Sequence, residues 1–460
     1  MIFNSWSARD KKAQLHSYTN ALKHEEMGPF VVESGKGIYV FDDEGRSYIE
    51  GMAGLWCTSL GFNQPRLVDA AKKQMEQLPF YHNFTHKTST VSIELAEALL
   101  KISPVPMSKA YFTTSGSEAN DTAMKIVWYY NNALNRPRKK KIISRIKAYH
   151  GVTIATASLT GLANNHNDFD LPISGIIHTD CPHYYRYGHE GETIEEFSQR
   201  CADNLETLIQ KEDPETIAAF IAEPVMGAGG VIVPPPTYFE KIQEILCRHD
   251  ILFIVDEVIC GFGRTGQMFG TTTFDLKPDM ITMAKALSSA YVPIGALLIN
   301  EKIYNIIRDN SNKIGTFGHG FTYSGHPVGA AVACETLKIY QEIDIVSHVQ
   351  KMSSLFQQGL QSLIDHPLVG EIRGIGLLGG IELVKNKKIK ESFPANLAIG
   401  TEMIRFLQKH GLILRNIQDT IACCPPLIIN EEQITDLIDK IKMGLNDTLN
   451  WIYEKEYDKN

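Results

Sequence analysis

From about residue 90 the chain alternates between two apolar periods. Residues 92–102, SIELAEALLKI, repeat their apolar positions at helical spacing, and 109–113, KAYFT, has the length of a strand. Residues 117–134, SEANDTAMKIVWYYNNAL, then set Ala119, Ala123, Ile126, Val127, Tyr130 and Leu134 along one side of a long helix. Further runs at 140–146, 217–224, 251–258, 279–284 and 295–300 predict strands, with helical stretches at 197–210 and 238–250 between some of them. This alternation predicts an α/β fold with a mostly parallel sheet wrapped by helices. Both ends read differently. Residues 37–51, GIYVFDDEGRSYIEG, place two apolar alternations around Asp43-Glu44-Gly45, a hairpin signature. A long helix from Pro327 leads to an alternating strand pair at 368–384, a helix at 397–411, strands at 412–417 and 421–429, and a closing helix at 431–449. The expected division is an N-terminal segment 1–60 belonging to a smaller α+β domain, a large domain 61–330, and the rest of the small domain in 331–460.

Composition narrows the class. The 460 residues are 43% apolar and 21% charged, with a net charge of −8, so general affinity for nucleic acid is disfavoured. The one basic run, RPRKKK at 136–141, leads straight into apolar residues and reads as a solvated loop. The eight cysteines include no C-x-x-C, and Cys423-Cys424 precede Pro425-Pro426, which suits free thiols in a reducing compartment; no metal site is expected. Charges in the first 18 residues fall where a signal peptide needs an apolar core. No stretch approaches the ~18 apolar residues of a membrane span. The expectation is a cytoplasmic protein.

One motif invites a dinucleotide reading. Gly261 to Gly266 spell G-x-G-x-x-G after an apolar run. A Rossmann turn needs its glycines to open directly into a helix. Here QMFGTTTFDLKPD follows, which predicts no helix, and five residues from Asp256 to Cys260 separate the strand from the first glycine. An acidic residue about 20 positions on is also missing. An NAD-dependent oxidoreductase is therefore a remote alternative.

A stronger phosphate signal lies at 112–121, FTTSGSEAND. A strand ends at Thr113, a Ser115-Gly116-Ser117 turn follows, and a long helix begins. Ser115 and Glu118 have capping-box spacing, Gly116 permits close backbone approach, and the first free N–H groups of a helix bind anions. An ordinary capped helix would read the same way. Asp256 places a carboxylate at the end of an apolar strand, where open α/β sheets bind ligands. Lys285 stands in an apolar setting before a Ser-rich turn, where desolvation would lower its pKa and make it a usable amine. Phosphate turn, strand-end Asp and buried Lys form the set that pyridoxal 5'-phosphate requires: an anion nest, a carboxylate for the ring nitrogen, and an amine for a Schiff base.

At this point the chain resembles the class III (omega) aminotransferases of the fold type I pyridoxal-phosphate enzymes. The motifs GMAGLWC, TTSGSEAND, YHG, AEPVMGAGG, DEVICGFGRTG, AKALSSAYVPIGA, GFTYSGHPVGAA and GLILR occur in order, and the match spans essentially the whole chain. The resemblance implies a large domain with a mostly parallel seven-stranded sheet and a smaller α+β domain built from both termini. It implies that Lys285 forms the internal aldimine and shuttles a proton, and that Asp256 pairs with the pyridine nitrogen. Val258 would pack on one ring face and Tyr149 on the other. Ser115, Gly116 and Ser117 would hold the phosphate, joined by Thr322 from the partner subunit of a homodimer. His150 and Glu223 would lie beside the cofactor. Met226 stands where many of the family carry Gln, and Ala286 where many carry Gly.

Two features bear on the substrate. The resemblance puts Leu55, Trp56 and Cys57 of GMAGLWC in the substrate pocket, joined by Phe84, an aromatic wall suited to amines without a nearby carboxylate. Core packing of Trp56 is the competing reading. Arg415 matches the family's carboxylate-binding arginine, and its guanidinium can grip a carboxylate with two prongs. Together these imply an amine:pyruvate-type omega-transaminase working by a ping-pong cycle. The alternatives within the fold take 4-aminobutyrate, β-alanine, taurine, putrescine or the diaminopelargonate-type substrate.

Overall fold

A computed structural model describes residues 5–455. Three sheets organise them. In the first, β1 (Val32–Lys36), β2 (Tyr39–Asp42) and β3 (Ser47–Glu50) form an antiparallel meander. Its last neighbour is β13 (Leu412–Ile413), which pairs parallel with β3, so the two ends of the chain share a sheet. The second sheet contains β4 (Lys109–Thr113), β5 (Lys141–Arg145), β6 (Ile176–Thr179), β7 (Ile217–Ala222), β8 (Leu252–Asp256), β9 (Met280–Met283) and β10 (Gly295–Ile299). Its order is β4-β10-β9-β8-β7-β5-β6. The third joins β11 (Val369–Ile375), β12 (Leu378–Leu383), β14 (Arg415–Ile417) and β15 (Thr420–Cys423), all antiparallel.

The seven-stranded sheet is parallel except at β10, which runs antiparallel to both β4 and β9. Two reversals restore the direction of β4, so its carboxyl end lies on the same edge as those of β5, β7, β8 and β9. That edge collects Ser115, Tyr149, Glu223, Asp256 and Lys285, each at or just beyond a strand end. Strand alternation sorts the layers. In β8, Phe253 and Val255 join the core against helices Ile194–Glu212 and Tyr238–Arg248. Leu252 and Ile254 face the helix Gly116–Ala133. By the same period Asp256 points toward that helix.

Several sequence expectations need correction. Strand β6 was not anticipated, because its four residues IIHT carry too short a pattern. A one-turn helix, Gly270–Thr273, interrupts the stretch expected to lack any helix, though it begins beyond the last glycine of the motif. Val258 is not on the strand: β8 stops at Asp256 and Val258 sits in the turn that follows. The basic run is not simply solvated. Arg136 pairs with Asp250, Arg138 with Asp213, and Lys139, 4% exposed, donates to the His249 carbonyl.

Candidate active site

A cavity of about 350 Å³ opens at the carboxyl edge of the large sheet, walled by Ser115, Gly116, Ser117, Tyr149, His150, Glu223, Asp256, Val258 and Lys285. Each arrives by its own local logic. Ser115 caps the helix Gly116–Ala133, its hydroxyl accepting from the Glu118 N–H at 3.1 Å. The reciprocal half of the expected capping box is missing. The Glu118 carboxylate accepts instead from the N–H and hydroxyl of Thr114, at 2.7 and 2.8 Å. Thr114, Ser115, Gly116 and Ser117 at this helix start line the cavity, the place an anion site requires. Gly116 is needed for packing: a Cβ there would lie 2.9 Å from a Val258 methyl.

Asp256, 3% exposed, is held by three donors. Asn120 Nδ2 and His150 Nδ1 donate to Oδ2 at 2.7 and 2.8 Å, and the Val258 N–H donates to Oδ1 at 3.0 Å. Glu223 lies deeper. Its two oxygens accept from the N–H groups of Tyr149 (2.9 Å) and Gly227 (3.1 Å), while its carbonyl accepts from buried Arg145 at 2.6 Å. Burial pushes the Glu223 carboxyl above its usual range. Lys285 begins a single tight turn, Lys285–Leu287, just past β9, with φ +47. Desolvation lowers its amine pKa; Cys57, Asp256 and Glu223 oppose that shift. The tight turn turns the lysine from the strand into the cavity, and the Tyr340 hydroxyl donates to the Ala286 carbonyl at 2.7 Å to secure it.

The remaining expected residues lie outside this wall in the single chain. Trp56 is 3% exposed and packs against the main hydrophobic core, with a left-handed φ of +65. Its neighbour Cys57 reaches the cavity. Leu55 and Phe84 are exposed, at 51% and 42%, and Phe84 lies against Gly320. Thr322 is exposed on the same loop as Gly320. Arg415, on β14, is half-buried; its charge acts on Tyr149, and among the described residues no carboxylate pairs with it.

Sequence reasoning missed two contributors. Asn120 joins Asp256 to the Thr282 hydroxyl and the His150 carbonyl; its place one turn into the capped helix was the available signal. Burial, with Tyr18 beside it, pushes the Tyr149 hydroxyl well above the ordinary tyrosine range. No local pattern marks Tyr18. Glu257, next to Asp256 in the chain, faces away from the cavity and accepts from Gly270 and Thr271.

That last contact settles the glycine motif. Gly263 and Gly266 adopt φ of +101 and +88, which lets the loop fold tightly. Arg264, 2% exposed, donates to the carbonyls of Leu377 and Pro425. The loop thus fastens the large sheet to the C-terminal region, and only Ile259 of the stretch between Val258 and Gly266 reaches the cavity.

A pyridoxal phosphate fits these residues. A helix start offers N–H groups, Gly116 leaves no Cβ in the way, a buried carboxylate and a buried amine face one cavity, and His150 Nε2 is buried without a partner. The class III aminotransferase family model matches residues 20–445. The chain is 54% identical to gamma aminobutyrate transaminase 3, chloroplastic, of Solanum lycopersicum, over 97% of this chain and 86% of that one. It is 53% identical to vanillin aminotransferase of Capsicum annuum, over 92% of each. A thermostable omega transaminase from Pseudomonas jessenii superposes with a TM-score of 0.97 at 55% identity, covering 98% of this chain and 100% of that one. The Pseudomonas jessenii omega transaminase in complex with PMP superposes with a TM-score of 0.96 at 54% identity, over 98% and 99%. This chain belongs to the class III aminotransferases, fold type I enzymes that use pyridoxal phosphate.

Proposed function

We propose that the protein moves an amino group from a primary amine or ω-amino acid to a keto acid, with pyruvate as acceptor, in a ping-pong cycle. The observation that carries this reading is the convergence of Lys285, Asp256 and the start of the helix Gly116–Ala133 on one cavity. The bound cofactor supplies an electron sink and carries the amino group between half-reactions. The chain's own groups do the rest. Ser115, Gly116 and Ser117 hold the phosphate, and Asp256 holds a positive charge on the ring nitrogen. Tyr149 and Val258 confine the ring, with Glu223 and His150 fixing the loop and carboxylate around it. Lys285, its amine made easier to deprotonate by burial, accepts and returns the substrate proton.

Substrate choice is assigned to Trp56, Phe84, Leu55 and Arg415. A thermostable omega transaminase engineered for enantiopure bulky amines carries replacements of a tryptophan, a phenylalanine and an arginine. Trp56, Phe84 and Arg415 match those three types in the same order and at the same separations along the chain. An apolar wall and one unpaired arginine let the site take a carboxylate-free amine first and a keto acid second. The exposed loop bearing Thr322 supports a homodimer in which that hydroxyl completes the partner's phosphate site. Eight free thiols support a reducing compartment, the cytoplasm; two tomato relatives are named chloroplastic and mitochondrial.

Donor panels with pyruvate test the proposal: an aryl-alkyl amine, 4-aminobutyrate, β-alanine, taurine and putrescine. The aryl-alkyl amine should give the highest kcat/KM. The 4-aminobutyrate transaminase names among the relatives favour the second reading, and preference for 4-aminobutyrate over every other donor would establish it instead.

A further inference from the structure

Ahead of β1, two short helices, Trp6–Ala13 and Ala21–Met27, form a small unit with no buried residue of its own. Without a core, polar contacts hold it. Asp10 Oδ1 accepts from His16 Nε2 at 2.9 Å, and Asp10 Oδ2 accepts from His24 Nε2 at 2.8 Å. The imidazole centroids lie 4.1 Å apart, and Lys11 Nζ donates to the Glu25 carbonyl at 2.7 Å. The three side chains are largely covered, at 16%, 27% and 12% exposure for Asp10, His16 and His24. Their ligand atoms all lie within 4.8 Å of one another.

We propose that Asp10, His16 and His24 form a three-ligand site for a divalent transition metal of the Zn²⁺ type, and that its occupancy fastens Tyr18 against Tyr149. Two imidazoles and a carboxylate are the donor set of a three-ligand zinc site that keeps water in the fourth position. Oxygen-seeking Mg²⁺ and Ca²⁺ would gain little from two nitrogens. Ligand bonds of about 2.0–2.1 Å in a tetrahedron separate ligand atoms by about 3.3 Å. From Asp10 Oδ2 the two Nε2 atoms stand at 3.0 and 2.8 Å, so these spacings need to widen by only a few tenths of an ångström, and the two Nε2 atoms lie within 4.8 Å of each other; each imidazole would then carry its proton on Nδ1. An adjoining hollow of about 270 Å³, lined by His16, Thr19 and His24, has room for the fourth ligand.

The consequence lies in the turn between the two histidines. Tyr18 sits there at a left-handed φ of +51, its hydroxyl accepting from Asn165 Nδ2 at 2.5 Å and acting electrostatically on Tyr149. Tyr149 walls the cofactor cavity. Tying His16 to His24 through one ion fixes the segment that carries Tyr18. The site is independent of which amine the enzyme uses.

Holoenzyme stripped with a chelator and titrated calorimetrically with Zn²⁺ alone is the test. Wild type should bind one ion per chain. His24→Gln and Asp10→Asn should each weaken binding by about tenfold or more, the loss that even outer-shell changes bring, while Tyr18→Phe binds as wild type. Zn²⁺ should also slow hydrogen exchange across 16–20 in wild type and not in His24→Gln. Failure of wild type to bind, or equal binding by wild type and both ligand variants, overturns the site. Binding without added protection of 16–20 overturns the tie to Tyr149.

Discussion

Replacing Asn120 with Ala probes the carboxylate cluster at its least obvious member. The amide donates to Asp256 Oδ2 at 2.7 Å and to the His150 carbonyl at 2.8 Å, and accepts from the Thr282 hydroxyl at 2.7 Å. Asp256, His150 and Thr282 are all buried. At about 1 kcal/mol for each neutral bond and about 1.5–3 for the one to the carboxylate, the loss is roughly 4 kcal/mol of stability. Activity loses less. Asp256 keeps His150 Nδ1 and the Val258 N–H, so about 1.5–3 kcal/mol bounds the effect at roughly 10–150-fold in kcat/KM for the amine. Asn120→Asp separates charge from packing. It fills the same space but sets a second carboxylate against Asp256 Oδ2, and two such groups in contact resist joint ionisation. The Asp variant should therefore be the less active of the two although it leaves the smaller void. Stopped-flow half-reactions with one amine, alongside urea unfolding, give both numbers. An Asn120→Asp enzyme as active as wild type would refute the reasoning.

Three further outcomes follow from the geometry. Gly116→Ala drives a Cβ to 2.9 Å from Val258, so cofactor affinity, measured by equilibrium dialysis, should fall by about tenfold; unchanged affinity would contradict the close packing. Arg415→Leu should raise KM for pyruvate roughly 10–100-fold, the worth of a charged two-pronged contact, and leave kcat/KM for a carboxylate-free amine within about threefold. Equal losses on both substrates would remove Arg415 from the acceptor site. Glu50, buried at the end of β3, accepts from the Gly54 N–H, and burial pushes its carboxyl from 4.5 up to about 7. A carboxyl raised in the folded state stabilises the fold in acid and loses that stabilisation as pH rises through about 7. The difference is about 3 kcal/mol, and Glu50→Gln should remove it from unfolding curves compared at about pH 5 and about pH 8.5.

The parts of the site carried by local pattern were legible in the sequence. A capped helix after a strand, a carboxylate ending an apolar run and a lysine among apolar residues each announce their environment within a few positions. Parallel strand order then brings them to one edge. What stayed hidden depends on distant pairings. Asn120 acts through Asp256, 136 residues away, and Tyr18 reaches Tyr149 from a turn with no core. Trp56 shows the limit of type alone: it is 3% exposed at a left-handed φ while its neighbour Cys57 lines the cavity, and burial by itself does not separate a pocket wall from a core residue. The G-x-G-x-x-G pattern misleads for the same reason. Its glycines serve a tight turn, and only the contacts of Arg264 with Leu377 and Pro425 show what the turn is for.

Amino transfer by this protein depends on Lys285, in the cavity with Asp256 and the helix start. Its most direct test follows alanine formed from pyruvate and an amine donor by Lys285→Ala, in protein whose circular dichroism and cofactor content match wild type. Turnover should fall by about 10³-fold or more. Turnover within about tenfold of wild type would contradict it.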